Sequence, residues 1–89
     1  MSHIDELSVR LGTACRAAGV RVATAESCTG GGVAEAITRT PGSSQWFEGG
    51  IVAYANEGKI SVLGVSADTL SVHGSVSEAV AGEMARGAL

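Results

Sequence analysis

A short apolar run that ends in a glycine-rich turn constrains the fold of this chain more than any other feature. Residues 20–25 predict a buried strand, and an acid, a serine, a cysteine and a threonine follow it directly. Three glycines come next, at residues 30–32, and then a helical pattern begins. In α/β proteins a strand that leads through such a turn into a helix builds sites for anions and carbonyl groups. Free N–H groups beside a hydroxyl therefore predict a hydrolytic site.

A helix precedes this unit and a second strand follows it. Apolar residues recur at helical spacing over residues 4–18, and Gly19 ends the pattern. Cys15 lies on the apolar stripe of this helix and is expected in the core. Residues 46–54 predict the second strand, in which Gly49-Gly50 marks a bulge or a close approach of backbones.

The remainder of the chain is predicted to be helical. Asn56 is expected to cap a short helix that reaches residue 63, and residues 66–72 predict a further helical turn. Ser75 and Glu78 have the spacing of a capping box before the last helix. Two strands among several helices predict an α/β fold. Because two strands leave unpaired edges, the chain looks like the first half of a larger α/β domain.

Composition excludes several classes of function. The net charge of −3 and the pI near 5.2, without a cluster of basic residues, argue against a nucleic-acid partner. No apolar run approaches the roughly 18 residues that would span a membrane, and the polar N-terminus is unlike a signal peptide. Two cysteines form no disulfide framework, so a reducing cytoplasm is the expected location. No set of His, Cys, Asp and Glu has the spacing of metal ligands.

Ser27 is the first candidate for chemistry, because it follows a strand at the point where a helix begins. Its hydroxyl could cap that helix, or it could attack a carbonyl while the amides near Thr29, Gly30 and Gly31 hold the oxyanion. Glu26 is either an exposed strand end or an acid that supports the site. The sequence leaves these alternatives open.

Lys59 is the natural partner of Ser27, because the second strand and the turn after it should lead to the same sheet edge. It is predicted in the first turn of its helix, where the helix dipole disfavours an ammonium ion. The alternative is an ordinary solvated lysine. Tyr54 could bind Ser27 or Lys59 and relay a proton, or it could pack with its hydroxyl in water.

Cys28 is a rival nucleophile, since the thiolate form is favoured at a helix N-terminus. No histidine lies close in sequence to serve it, and a packed thiol is the alternative interpretation. His73 is isolated and is expected in a loop.

Five separated segments carry motifs of a known family. Their sequences are AESCTGG at 25–31, PGSS with WF at 41–47, VAYANEGK at 52–59, LGV at 63–65 and HGSVS at 73–77. In order and spacing they resemble the C-terminal domain of the competence/damage-inducible protein CinA, a family that includes stand-alone nicotinamide mononucleotide deamidases. The resemblance covers about residues 5 to 89, and the family domain continues for about as long again. Gly58 stands where the family usually has alanine.

The resemblance implies a three-layer α/β/α fold with a mixed sheet, of which residues 1–89 are the N-terminal half of a single domain. It implies hydrolysis of nicotinamide mononucleotide to nicotinate mononucleotide and ammonia, without a metal or organic cofactor, in a protein that associates into homo-oligomers. It assigns the nucleophile, the general base and the assisting hydroxyl, and it assigns substrate-binding positions. These are Ser27, Lys59 and Tyr54 for the chemistry, and Glu26, Thr29, Gly30, Gly31 and Asn56 for the substrate. The alternative is a non-catalytic module that binds a nucleotide or phosphate, or that only self-associates.

Overall fold

A computed structural model describes residues 2–89 and contains five α-helices and two β-strands. The elements, in chain order, are α1 (His3–Ala18), β1 (Val22–Glu26), α2 (Gly32–Thr38), a 3-10 turn (Ser43–Gln45), β2 (Phe47–Val52), α3 (Asn56–Leu63), α4 (Ala67–His73) and α5 (Glu78–Ala88). The predicted α/β class is confirmed.

The first helix has the ends that its sequence predicts. The Ser2 hydroxyl accepts a hydrogen bond from the Asp5 amide and begins α1. Gly19 ends it in the left-handed conformation, with φ at 66°. In the same C-terminal cap the Val20 amide donates to the Cys15 carbonyl oxygen. Because Val20 belongs to this cap, β1 begins at Val22 and not at residue 20, where the sequence predicted it.

The two strands pair in parallel. Val22 lies opposite Phe47 and Ala23 lies opposite Gly49, so Glu48 is the extra residue of a bulge. The predicted irregularity in β2 is present, one residue before the Gly49-Gly50 pair. Within residues 2–89 the sheet consists of these two strands, each paired on one side only.

Helices cover both faces of the sheet. Ala25 and Ile51 pack on one face against a cluster that includes Val80 and Met84 of α5. Val22 packs on the other face, against a cluster formed by Cys15, Ile37, Trp46 and Phe47. Successive residues of a strand point to opposite faces, which explains how one short strand serves two cores. The predicted burial of Cys15 is confirmed, at 3% exposure.

The caps of two later helices differ from the prediction. Ala55, and not Asn56, is the N-cap of α3, because its extended backbone lets its carbonyl accept the Lys59 amide. Ser77, and not Ser75, caps α5, and its hydroxyl accepts from the Val80 amide. Glu78 is consequently the first residue of α5, and no capping box forms.

Two further observations concern residues 2–89 as a whole. None of their helices combines the length and the apolar character that a bilayer crossing requires, and the longest, α1, has 16 residues. In the same part of the chain, no three His, Cys, Asp or Glu side chains come together where they could hold a metal ion.

His73, which was predicted in a loop, is instead the last residue of α4.

Candidate active site

The parallel sheet brings the ends of both strands to one edge. The Ala53 amide donates a 2.9 Å hydrogen bond to the Glu26 carbonyl oxygen, which extends the pairing one residue past the end of β2. Ser27 follows Glu26, and Tyr54 follows Ala53. Both residues therefore leave the sheet at its carboxyl edge, where open α/β sheets hold their ligands.

Glu26 is buried beneath the turn, and its carboxylate binds the amides at the start of α2. Its carboxylate accepts hydrogen bonds from the Thr29 hydroxyl at 2.6 Å, the Val33 amide at 2.8 Å and the Ala34 amide at 2.9 Å. Burial alone would raise the pKa of Glu26, but these bonds, with one from the Gly31 amide, outweigh burial and hold the pKa below its ordinary value. Glu26 is 5% exposed, so the alternative of an exposed strand end is wrong and Glu26 supports the turn from below, while its contact with a substrate stays a prediction.

The glycines at residues 30 and 31 shape the turn. Their φ angles are 60° and 99°, which side chains other than that of glycine rarely allow. The Gly30 amide donates to the Ser27 carbonyl oxygen at 3.0 Å and is not free to hold an oxyanion. The Gly31 amide helps to lower the pKa of the Glu26 carboxyl. The amides of Cys28 and Thr29 have no hydrogen-bond partner within residues 2–89 and are the available donors.

Ser27 does not cap α2. Gly31 occupies the N-cap position, and Glu26 supplies the side-chain hydrogen bonds that a cap would give. The half-buried Ser27 instead lines a cavity of about 190 Å³, together with residues from β1, from the loop between α4 and α5, and from α5. The other lining residues are Ala25, Cys28, Ser75, Val76, Ser77, Ala81 and Met84.

Lys59 is buried and points toward the same loop. It is 2% exposed, and its Nζ donates a 3.3 Å hydrogen bond to the Ser75 carbonyl oxygen. Among residues 2–89 no carboxylate lies within 4.0 Å of the Lys59 amine. The alternative of an ordinary solvated lysine is therefore wrong. Ser75 lines the same cavity as Ser27, and its carbonyl binds Lys59, which does not itself line that cavity. Ser27 and Lys59 form no hydrogen bond with each other in this structure.

The other predicted site residues lie on the surface. Tyr54 is 76% exposed, and within residues 2–89 its hydroxyl makes no hydrogen bond to Ser27 or Lys59. Asn56 is exposed at the start of α3. Thr29 is exposed as well, but its hydroxyl is already bound to Glu26. Cys28 is exposed beside Ser27, so the interpretation as a packed thiol is wrong.

The loop of residues 74–77 is the part of the site that sequence reasoning missed. Ser75, Val76 and Ser77 line the same cavity as Ser27. Their local pattern indicated a helix cap and gave no sign of a contact with β1. The signal available in the sequence was the pair of serines, one of which is not needed to cap α5.

A larger apolar groove, of about 470 Å³, lies between α1 and α2. Four of its aliphatic residues are 39–51% exposed, namely Ile4, Leu7, Leu11 and Val33. Ser27 and Lys59 do not line this groove, so its size does not make it the site of the chemistry proposed for those two residues.

Comparison with known proteins gives a consistent result. The chain is 54% identical over 88 residues to nicotinamide-nucleotide amidohydrolase PncC of Escherichia coli K12, a match that covers 99% of this chain and 53% of that protein. It is 52% identical to the protein of the same name from Pseudomonas putida, over 99% of this chain and 55% of that protein. The chain thus spans about half the length of these curated relatives.

Solved structures agree with this relationship. Competence damage-inducible protein A from Klebsiella pneumoniae superimposes with a TM-score of 0.95 at 41% identity, over 99% of this chain and 55% of that one. The competence/damage-inducible protein CihA from Agrobacterium tumefaciens gives a TM-score of 0.94 at 45% identity, over 100% and 54% of the two chains. The family model described as the CinA C-terminal domain matches residues 4–89. The chain therefore belongs to the CinA C-terminal domain family.

Proposed function

We propose that this chain carries the nucleophile and the general base of an amide hydrolase that converts nicotinamide mononucleotide to nicotinate mononucleotide and ammonia. The observation that carries the proposal is that Ser75 links the two groups: it lines the same cavity as Ser27, and its carbonyl binds the buried Lys59. Similarity to curated nicotinamide-nucleotide amidohydrolases supports the choice of substrate. Burial away from carboxylates is the environment in which lysine serves as a base.

In the proposed reaction the Ser27 oxygen attacks the carboxamide carbon while Lys59 accepts the hydroxyl proton. The tetrahedral oxyanion is held by the free amides of Cys28 and Thr29, at the position that backbone donors occupy beside a nucleophile. Lys59 then gives its proton to the departing nitrogen, which leaves as ammonia, and a water molecule hydrolyses the acyl-serine ester. Because catalytic hydrogen bonds are often long before substrate binds, the unmade Ser27–Lys59 contact is compatible with this sequence.

The size of the cavity limits what it holds. Pockets that enclose a whole small ligand have volumes of roughly 300–1,000 Å³, and this cavity has about 190 Å³. We place the pyridine ring and its carboxamide here, against the apolar side chains of Ala25, Ala81 and Met84. The ribose phosphate then extends toward the surface, where Tyr54 and Asn56 stay predicted contacts.

We further propose that residues 1–89 act as the N-terminal half of a single domain. Two observations support this: each strand is paired on one side only within residues 2–89, and the groove between α1 and α2 exposes aliphatic side chains. A second half would pair a strand edge and cover the groove. Association of copies, which the family resemblance implies, is part of the same proposal.

The experiment measures ammonia release from nicotinamide mononucleotide. It uses the chain alone and a hybrid in which the chain replaces the matching part of the E. coli protein, to which it is 54% identical. We expect the hybrid to be active. We expect Ser27→Ala and Lys59→Ala each to lower kcat by roughly a thousandfold or more, because the two groups act as a unit. Ser71→Ala, which removes an exposed hydroxyl on α4, is the matched control and should leave turnover unchanged.

Two outcomes would contradict the proposal. One is near-normal turnover in either variant of the reacting pair. The other is tight binding of the nucleotide by the folded hybrid, measured calorimetrically, without any product, which would favour the alternative of a binding module. Lys59→Arg adds a test of the base, since it keeps a cation but cannot exchange a proton near neutral pH, and it should be as inactive as Lys59→Ala.

A further inference from the structure

The only lysine of the chain, Lys59, makes a single side-chain hydrogen bond within residues 2–89. Its Nζ donates to the Ser75 carbonyl oxygen at 3.3 Å, and within residues 2–89 this amine makes no other hydrogen bond and no ion pair. The side chain is 2% exposed, so packing restricts its stem and this hydrogen bond is, in the described part of the chain, the one polar contact that fixes its amine. Because the acceptor is a backbone carbonyl, the amino-acid sequence gives no indication of this contact.

The loop that supplies this carbonyl is itself fixed at both ends. Gly74 adopts φ 83° and ψ 161°, and its amide donates to the Leu70 carbonyl oxygen at 3.0 Å. The Ser77 hydroxyl donates to the Gly74 carbonyl oxygen at 2.9 Å and accepts from the Val80 amide at 3.2 Å. Ser75 is thus held between the end of α4 and the start of α5.

We propose that the Ser75 carbonyl orients the Lys59 amine for its reaction with Ser27. This inference rests on the proposed function, and it assigns Ser75 as a positioning residue of the same site. A base that is oriented by a third group is the general arrangement of activated nucleophiles. A neutral amine has two N–H bonds and one lone pair. With one N–H committed to Ser75, the lone pair is confined to fewer directions, and Ser75 borders the cavity that Ser27 lines.

The chemistry of a carbonyl suits this task better than that of a carboxylate. A carboxylate would also orient the amine, but its negative charge would stabilise the ammonium form. A carbonyl accepts a hydrogen bond without adding a full negative charge beside the amine. Among residues 2–89 no carboxylate lies within 4.0 Å of Lys59, which agrees with a carbonyl, and not a carboxylate, as the group that orients the amine.

The test replaces the peptide bond between Ser75 and Val76 with an ester. An ester carbonyl is a weaker acceptor, and the change also removes the Val76 N–H, which has no partner within residues 2–89. The matched control is the same replacement at the next bond, between Val76 and Ser77. Neither the Val76 carbonyl nor the Ser77 amide makes a hydrogen bond in that part of the chain.

In the hybrid protein we expect the first ester to lower kcat by about tenfold or more, while KM changes by no more than about twofold. The control ester should leave both constants unchanged. Equal turnover of the two ester proteins would overturn the orienting role. If the two ester proteins turn over equally while Ser27→Ala and Lys59→Ala are inactive, the proposed function still holds but the orienting role of Ser75 does not. Full activity of Lys59→Ala would overturn both proposals.

A measurement without turnover keeps the inference testable if the ester protein fails to fold. Labelling the chain with ¹⁵N-lysine gives one side-chain signal, because the chain has one lysine. We expect that ¹⁵N signal to show scalar coupling, through the hydrogen bond, to a ¹³C label in the Ser75 carbonyl. Absence of this coupling, with rapid exchange of the amine protons, would contradict the proposal.

Discussion

The Thr29 hydroxyl donates a 2.6 Å hydrogen bond to the Glu26 carboxylate and so ties the glycine-rich turn back to the end of β1. The same carboxylate accepts the amides of Val33 and Ala34, in the first turn of α2. One buried side chain therefore fixes the strand end, the turn and the helix start, with Ser27 between them. Glu26 thereby positions Ser27, although no hydrogen bond joins the two side chains.

Glu26→Gln is expected to destabilise the fold, because an amide presents one acceptor oxygen where the carboxylate presents two. The free energy of unfolding should fall by about 1–3 kcal/mol, the usual range for a buried hydrogen-bonded group that loses its partner. Urea unfolding followed by circular dichroism measures this. The matched control is Glu48→Gln, which disrupts a surface ion pair with Arg21 and should cost at most about 1 kcal/mol. Equal effects of the two changes would contradict the role assigned to Glu26.

The stabilisation from Glu26 should depend on pH. Its pKa in the folded chain lies below the ordinary value of 4.5, because the hydrogen bonds outweigh the opposing effect of burial. The contribution is therefore complete above 4.5 and is lost as pH falls through the lower folded value. We expect the difference in unfolding free energy between the native chain and Glu26→Gln to be larger at about pH 6 than at about pH 3. A difference that stays constant over this range would count against the assignment.

Much of the fold follows from local sequence, and α1 shows why. Its cap at Ser2, its apolar stripe and its stop at Gly19 are all encoded within a few residues of where they act. The start of β1 was misplaced because Val20 completes the cap of α1, a contact that the apolar pattern does not reveal. Helix and strand existence was predictable, while the exact ends depended on backbone hydrogen bonds.

The site was less predictable, since its contacts join distant parts of the chain. Ser27 and Lys59 were identified as candidates, but composition favours a solvated lysine, and only the fold shows that Lys59 is buried. The α5 cap was assigned to Ser75 because two serines satisfy similar local rules. In the structure Ser77 caps the helix, and the Ser75 carbonyl binds Lys59. No local pattern distinguishes these two uses.

Gly12→Ala is expected to destabilise the chain even though alanine favours helices. A Cβ at Gly12 would lie 2.8 Å from three atoms of the Trp46 indole, which is 1% exposed and cannot move aside. Overpacking of this kind costs about 1–3 kcal/mol. The matched control is Gly58→Ala in α3, where a Cβ would meet Ala53 at an ordinary 3.7 Å. That change should stabilise the fold by about 0.5–1 kcal/mol. Opposite shifts in thermal unfolding temperature confirm this prediction, and a stabilised Gly12→Ala chain would contradict it.

Cys28→Ala is expected to keep the proposed activity while removing sensitivity to alkylation. Cys28 is exposed and lines the Ser27 cavity, so iodoacetamide should react with it and place a carboxamidomethyl group where the substrate ring is proposed to lie. Cys15 is buried at 3% exposure and should not react in the folded chain.

The decisive comparison is turnover of the hybrid protein before and after iodoacetamide treatment. Treatment should abolish turnover in the native sequence and leave Cys28→Ala unaffected, with mass spectrometry locating the added group. The proposed reaction does not use the Cys28 thiol. Untreated Cys28→Ala should therefore retain kcat within about twofold, which corresponds to about 0.4 kcal/mol. Loss of activity in untreated Cys28→Ala, together with activity in Ser27→Ala, would show that the Cys28 thiol, and not the Ser27 hydroxyl, is the nucleophile.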